Sequence, residues 1–252
     1  MAGEAIIETE GLTKTYKGQV AVDDLSFQVA EGEIFGFLGP NGAGKTTTLL
    51  MLLGLTEPTR GRARVLGIDP TRHPIQVKGM IGYLPENMGF YGELNARQSL
   101  RFIADLNGLP VRTADARIDE ALTVVGLESE PEKKIRAYSR GMRQRLGIAE
   151  LLIKEPKVAF LDEPTLGLDP DGTQRMVALI EQLSRERKMT VVLSSHMLSM
   201  VQKMCHRVGI MIHGKMVGQG PVEKLAQEKL GVGTEQYTLE EIYMKYFREA
   251  LP

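Results

Sequence analysis

The chain has 252 residues, 42% hydrophobic and 25% charged, which supplies a sizeable core and excludes intrinsic disorder. Its 31 basic and 32 acidic residues nearly cancel, so no overall positive field exists to hold nucleic acid through phosphates alone, and no nucleic-acid partner is expected. Cys205 is the single cysteine, the start MAGEAIIETEG lacks the regions of a secretory signal, and no stretch is apolar enough to span a bilayer; a reducing cytosol is indicated, with any membrane role borrowed from a separate protein.

In chain order, AIIET (5–9) and VAVDDLSFQV (20–29) show the two-residue period of half-exposed strands, and EGEIFGFLG (31–39) reads as a buried strand. TTTLLMLLG (46–54) predicts a buried helix ended by Gly54, and RARVLGID (62–69) and GMIGYLP (79–85) predict further strands. From Asn95 to Ile153 the character changes to three helical stretches, NARQSLRFIADLNG, TADARIDEALTVVG and GMRQRLGIAELLI, without a strand between them. Strand and helix then alternate through VAFLDEP (158–164), a helix near 172–187, TVVLSS (190–195), a helix near 197–205 and RVGIMIHG (207–214), which implies a parallel sheet. In TLEEIYMKYFRE (238–249), Thr238 precedes Glu241 at capping-box spacing, and Leu239, Ile242, Tyr243, Tyr246 and Phe247 share one face that should dock.

Two stretches carry phosphate chemistry. Gly39 to Thr46 satisfies G-x-x-x-x-G-K-[ST] between a predicted strand and a predicted helix. Glycines 39, 42 and 44 free the backbone to turn N–H groups inward, Lys45 adds charge, Thr46 offers a hydroxyl to Mg²⁺, and the helix presents its N-terminal dipole. At KVAFLDEP, Asp162 and Glu163 reach the carboxyl end of a strand, where open α/β sheets bind ligands. Strand alternation would send the two carboxylates opposite ways, Asp162 to the metal shell and Glu163 to an attacking water. His196 ends the next strand at the same edge, within reach of a γ-phosphate. The second stretch, YSRGMRQR (138–145), sets a serine and a glycine among arginines at the mouth of a helix, a feature that one small nucleotide does not require twice.

GPNGAGKTT, YSRGMRQR, FLDEP, GLDP (167–170) and SSH occur once each in that order, and from about Ile6 to Gly220 the chain resembles an ABC ATPase, the nucleotide-binding subunit of ABC transporters. The resemblance implies an α/β fold: a RecA-like P-loop NTPase core with an N-terminal antiparallel β subdomain and a helical subdomain inserted at about 87–153, the whole spanning 1–220, and a C-terminal helical extension at 221–252. It further implies that Tyr16 stacks on adenine and that Gly39, Pro40, Asn41, Gly42, Ala43, Gly44, Lys45, Thr46 and Thr47 form Walker A. Asp162 would be the Walker B acid, Glu163 the catalytic base, His196 the switch histidine, and Asp169 part of the loop that crosses to a partner. Ser139, Arg140 and Gly141 fall in the signature motif, which caps the γ-phosphate of ATP held by the opposite subunit, so ATP becomes the glue of a head-to-tail dimer, a homodimer or a pair with a related ATPase.

YLPEN, YSRGMRQR and TLEEIYMKYF are together similar to the ABC-2 branch that serves exporters, which implies ATP hydrolysis coupled to a separate transmembrane permease and a peripheral place on the inner face of the cell membrane. The chain departs from the common pattern at Tyr138, Arg140 and Met142 in the signature, at Leu166 in the crossing loop, and at Glu86, where a glutamine is usual. Glu86 can still meet Mg²⁺ or water, at the cost of a carboxylate near phosphates. The alternative, a soluble ABC ATPase acting on DNA or ribosomes, fits less well with one Walker A, no sustained heptads and neutral charge. Residues 86–95, with Met88, Phe90, Tyr91 and Leu94, are either a permease contact or core packing. Met197, Met200, Met204, Cys205, His206, Met211 and His213 read as core filler rather than a soft-metal site.

Overall fold

The computed structural model describes residues 4–230 and 237–250, so the ends of the expected 1–220 and 221–252 spans, and 231–236 within the second, lie outside the described residues. The strands are β1 (Ala5–Tyr16), β2 (Gln19–Ala30), β3 (Ile34–Leu38), β4 (Arg60–Val65), β5 (Ile81–Leu84), β6 (Val158–Asp162), β7 (Thr190–Ser195), β8 (Arg207–Ile212) and β9 (Lys215–Gly220). The helices are α1 (Lys45–Leu52), α2 (Pro74–Met80), α3 (Ala96–Leu106), α4 (Val111–Val124), α5 (Arg140–Leu152), α6 (Pro170–Arg187), α7 (Leu198–Met204), α8 (Val222–Leu230) and α9 (Leu239–Glu249).

They build two sheets, an antiparallel one in the order β2-β1-β4 and a six-stranded one in the order β5-β6-β7-β3-β8-β9. The latter is parallel from β5 to β8, as the alternation of strand and helix implies, and a further strand that the sequence reading did not include, β9, runs antiparallel to β8. The sequence hid this strand because KMVGQG has little apolar alternation. β1 runs well past the expected Thr9: register shifts around Gly11 break its period while pairing continues. β4 stops at Val65, since Leu66 and Gly67 turn left-handed.

Strands β3, β6, β7 and β8 of the six-stranded sheet are buried on both faces, while β9 at its edge is partly exposed, and the buried side chains alternate between two cores. Phe35 and Phe37 of β3, Phe160 of β6 and Val192 of β7 join the β1–β2 face and α1, where Phe27, Phe35 and Phe37 meet at centroid separations of 5.1–5.6 Å. Ile34, Leu38, Leu161, Leu193 and Ile210 point into the other core, shared by α3–α7 and α9. The C-terminal helix docks on this same core through Leu239, Ile242 and Tyr246, with the expected Thr238–Glu241 capping box formed. Among the described residues no helix is long and apolar enough to cross a membrane.

Candidate functional site

Gly39 to Thr47 links the carboxyl end of β3 to the start of α1. Gly44 caps the helix with φ 100°, and a Cβ there would meet the Ala21 carbonyl oxygen at 2.5 Å, so the loop geometry requires glycine. The Lys45 ammonium donates to the carbonyls of Gly39 at 2.7 Å and Pro40 at 3.2 Å, and it lies 3.7 Å from Glu163 Oε1. Burial pushes its pKa below the ordinary value, against the pull of Glu163 and Asp162. A cavity of about 440 Å³ opens over this loop, walled by Tyr16, Val20, Asn41 to Thr47, Glu86 and Glu163. Tyr16 is 44% exposed at its mouth, with Lys14 over the ring at 4.9 Å. Gly39, Pro40, Asp162 and His196 are not part of the cavity wall.

Asp162 ends β6 and is buried; its Oδ1 accepts from Thr46 Oγ1 at 3.2 Å and from Ser194 Oγ of β7. Thr46 and Asp162 thus bring two hard oxygen donors together, with Glu86 exposed on the same cavity, a donor set suited to Mg²⁺. Asp162 and Glu86 also help burial push the Tyr83 phenol up to about 12. Glu163 does not point away from Asp162 as strand alternation would require. It lies beyond the strand with φ 50°, and this left-handed turn swings its carboxylate back toward Lys45. His196 Nδ1 lies 2.9 Å from Glu163 Oε2, so the histidine meets the carboxylate itself. Ser194 is the site residue the sequence did not single out, because its partners come from a different strand.

Ser139, Arg140, Gly141 and Asp169 line a second cavity of about 400 Å³ that shares no wall residue with the first. Ser139 Oγ caps α5 by accepting from Met142 N at 3.2 Å, and Asp169 caps α6 by accepting from Gly172 N at 2.7 Å. The Arg140 side chain lies over Gly167, where a Cβ would meet its guanidinium at 2.6 Å. Arg145 donates to the Val125 and Gly126 carbonyls at the end of α4. Tyr138 is buried in the core, and its hydroxyl has no partner among the described residues.

Within 86–95, Met88, Phe90 and Leu94 pack against the core, whereas Tyr91 is 64% exposed and meets Phe102 of α3 edge-on at 5.5 Å. Of the four apolar side chains singled out in the stretch, three pack and Tyr91 alone stays exposed, paired with a residue of α3. Around Cys205, His206 Nδ1 accepts from Ile34 N, Met200 Sδ accepts from Thr165 Oγ1, and no group of three or more His, Cys, Asp or Glu side chains among the described residues could hold a metal ion.

A family model described as ABC transporter matches residues 22–166. The chain is 44% identical over 220 residues to the bacitracin transport ATP-binding protein BcrA of Bacillus licheniformis, covering 87% of this chain and 71% of that protein. Among solved structures, the ATP binding subunit of an ABC transporter superposes with a TM-score of 0.83 at 28% identity, covering 96% of this chain and 99% of the other. The cbiO1 protein of Clostridium perfringens, part of the ABC transporter complex cbiONQ, gives 0.80 at 28% identity over 90% and 96%.

Proposed function

The chain belongs to the ABC transporter family as an ATP-binding, ATP-hydrolysing subunit, and from that premise we propose that two copies, or one copy and a related subunit, close head-to-tail around two ATP molecules and power export through a separate permease. The observation that carries this reading is the division of the phosphate chemistry between two cavities with no common wall residue, one built on Walker A and the other on Ser139 and Gly141. Each is half a site, and a second copy supplies the missing half. A role in transport is supported by the similarity to a bacitracin transport ATP-binding protein, and export is carried over from the ABC-2 resemblance.

Tyr16 would take the adenine face, and the N–H groups of residues 39–47 with Lys45 would hold the phosphates. Thr46 and Asp162, with Glu86 beside them, would hold Mg²⁺, which when bound neutralises charge on the phosphate oxygens. Glu163 accepts the proton of the attacking water as its oxygen bonds to the γ-phosphorus and the bond to the β-phosphate oxygen breaks, leaving ADP and inorganic phosphate. His196 holds the Glu163 carboxylate through Nδ1. Ser139, Arg140, Gly141 and Asp169 would face the partner's nucleotide, and loss of the γ-phosphate removes the contact that keeps the copies together.

We place residues 1–220 in the cassette, its helical part at about 87–153, and 221–252 in an extension docked on it. The exposed Tyr91–Phe102 pair is where the permease would rest, holding the subunit on the inner face of the membrane. The test is a disulfide between copies. A mixture of Ser139→Cys and Asn41→Cys chains should crosslink with ATP and Mg²⁺ and not without them, because Asn41 is exposed on the first cavity and Ser139 lies on the second. Absence of ATP-dependent crosslinking would overturn the shared site.

A further inference from the structure

We propose that Ser194 is a positioning residue for ATP hydrolysis, because its hydroxyl ties the Asp162 carboxylate to the main chain of Glu163; the inference rests on the roles given to those two residues above. Asp162 and Ser194 are register partners on neighbouring parallel strands, and Ser194 is completely buried. The Ser194 O–H donates to Asp162 Oδ1, while the oxygen accepts the Glu163 N–H at 3.1 Å. The same N–H also reaches the Ser194 carbonyl at 3.2 Å, so the Glu163 amide is held from two sides.

Glu163 needs this hold. It has left strand geometry for φ 50°, a conformation that costs a residue with a Cβ free energy and persists only where the surroundings over-determine it. Two positions further along, His196 grips the Glu163 side chain. The end of β7 therefore fixes both parts of the base, Ser194 its backbone and His196 its carboxylate, and the same hydroxyl orients the acid that shares Oδ1 with Thr46. A chain of contacts runs from Thr46 through Asp162 and Ser194 to Glu163, so a shift at the Thr46 end is passed to the base.

Ser194→Ala removes the hydroxyl and leaves Asp162 Oδ1 with Thr46 alone. The variant should lower kcat by about tenfold to a hundredfold with little change in KM, the size expected from losing one buried hydrogen bond to a charged group. The Mg²⁺ concentration needed for half-maximal ATP binding, read by equilibrium binding without turnover, should rise several-fold. Ser194→Thr keeps the hydroxyl and should restore both quantities, which separates positioning from a general loss of packing. Thermal unfolding of both variants shows that the assays are run on folded protein. If Ser194→Ala loses stability but keeps wild-type kcat and Mg²⁺ dependence, or if Ser194→Thr restores neither, the inference is overturned. ATP-dependent dimerisation of Glu163→Gln, measured with and without Ser194→Ala, distinguishes this failure from failure of the shared-site reading, in which Glu163→Gln stays monomeric as well.

Discussion

Glu150 lies near the carboxyl end of α5, the helix whose first turn carries the signature residues. Its carboxyl is largely buried, with one hydrogen bond from Ser99 Oγ at 2.9 Å, and burial pushes its pKa from the ordinary 4.5 up to about 7. The helix C-terminus adds unfavourable negative potential for a carboxylate at this position. Because the folded pKa is raised, the stability linked to this group is fully present below pH 4.5, falls as pH rises, and is lost above about 7. At roughly 1.4 kcal/mol per pKa unit, and allowing for partial solvent screening, the ionised form costs the fold about 2–3 kcal/mol. Glu150→Gln removes the charge and keeps an acceptor for Ser99. Urea unfolding followed by circular dichroism should therefore show the variant within about 1 kcal/mol of wild type near pH 5 and more stable by about 2–3 kcal/mol near pH 8. An equal difference at both pH values, or a variant less stable at the higher one, would refute the reasoning.

Gly44→Ala puts a Cβ at a left-handed position 2.5 Å from the Ala21 carbonyl, so it should cost more than about 2 kcal/mol in a denaturant melt and abolish ATP binding. Tyr246→Ala empties the space where its ring lies against Gly218 and under Lys229 at 4.4 Å, and should lower unfolding free energy by about 2–4 kcal/mol while leaving ATP affinity unchanged. Tyr91→Ala should change stability by less than about 0.5 kcal/mol because the ring is exposed, yet weaken recovery of the subunit with detergent-solubilised permease in a pull-down.

The nucleotide cavity was legible in the sequence because its chemistry is local: a glycine loop, a lysine and a hydroxyl within nine residues must follow one another to wrap a phosphate. Asp162 and Glu163 were legible as a pair, but not their directions, because one left-handed φ at Glu163 replaces strand alternation and is not written in residue type. Ser194 was missed for a related reason: a serine on a buried strand has meaning only once β6 is known to lie beside β7. Ser139 read as either a helix cap or a phosphate contact and Asp169 as part of a crossing loop, and the fold uses both side chains as helix caps in the single chain, a role compatible with exposure at a cavity. Of the apolar residues at 86–95, only contact with the core separates packing from surface, which is why Tyr91 could not be told from Met88 in advance.

The most direct measurement is size-exclusion chromatography with light scattering on Glu163→Gln, which keeps the shape of the site and removes its base. With ATP and Mg²⁺ the variant should elute as a stable dimer, and without nucleotide as a monomer, while the wild type remains mostly monomeric because hydrolysis opens it. A variant that stays monomeric at saturating ATP would contradict the claim that each phosphate site is completed by a second copy.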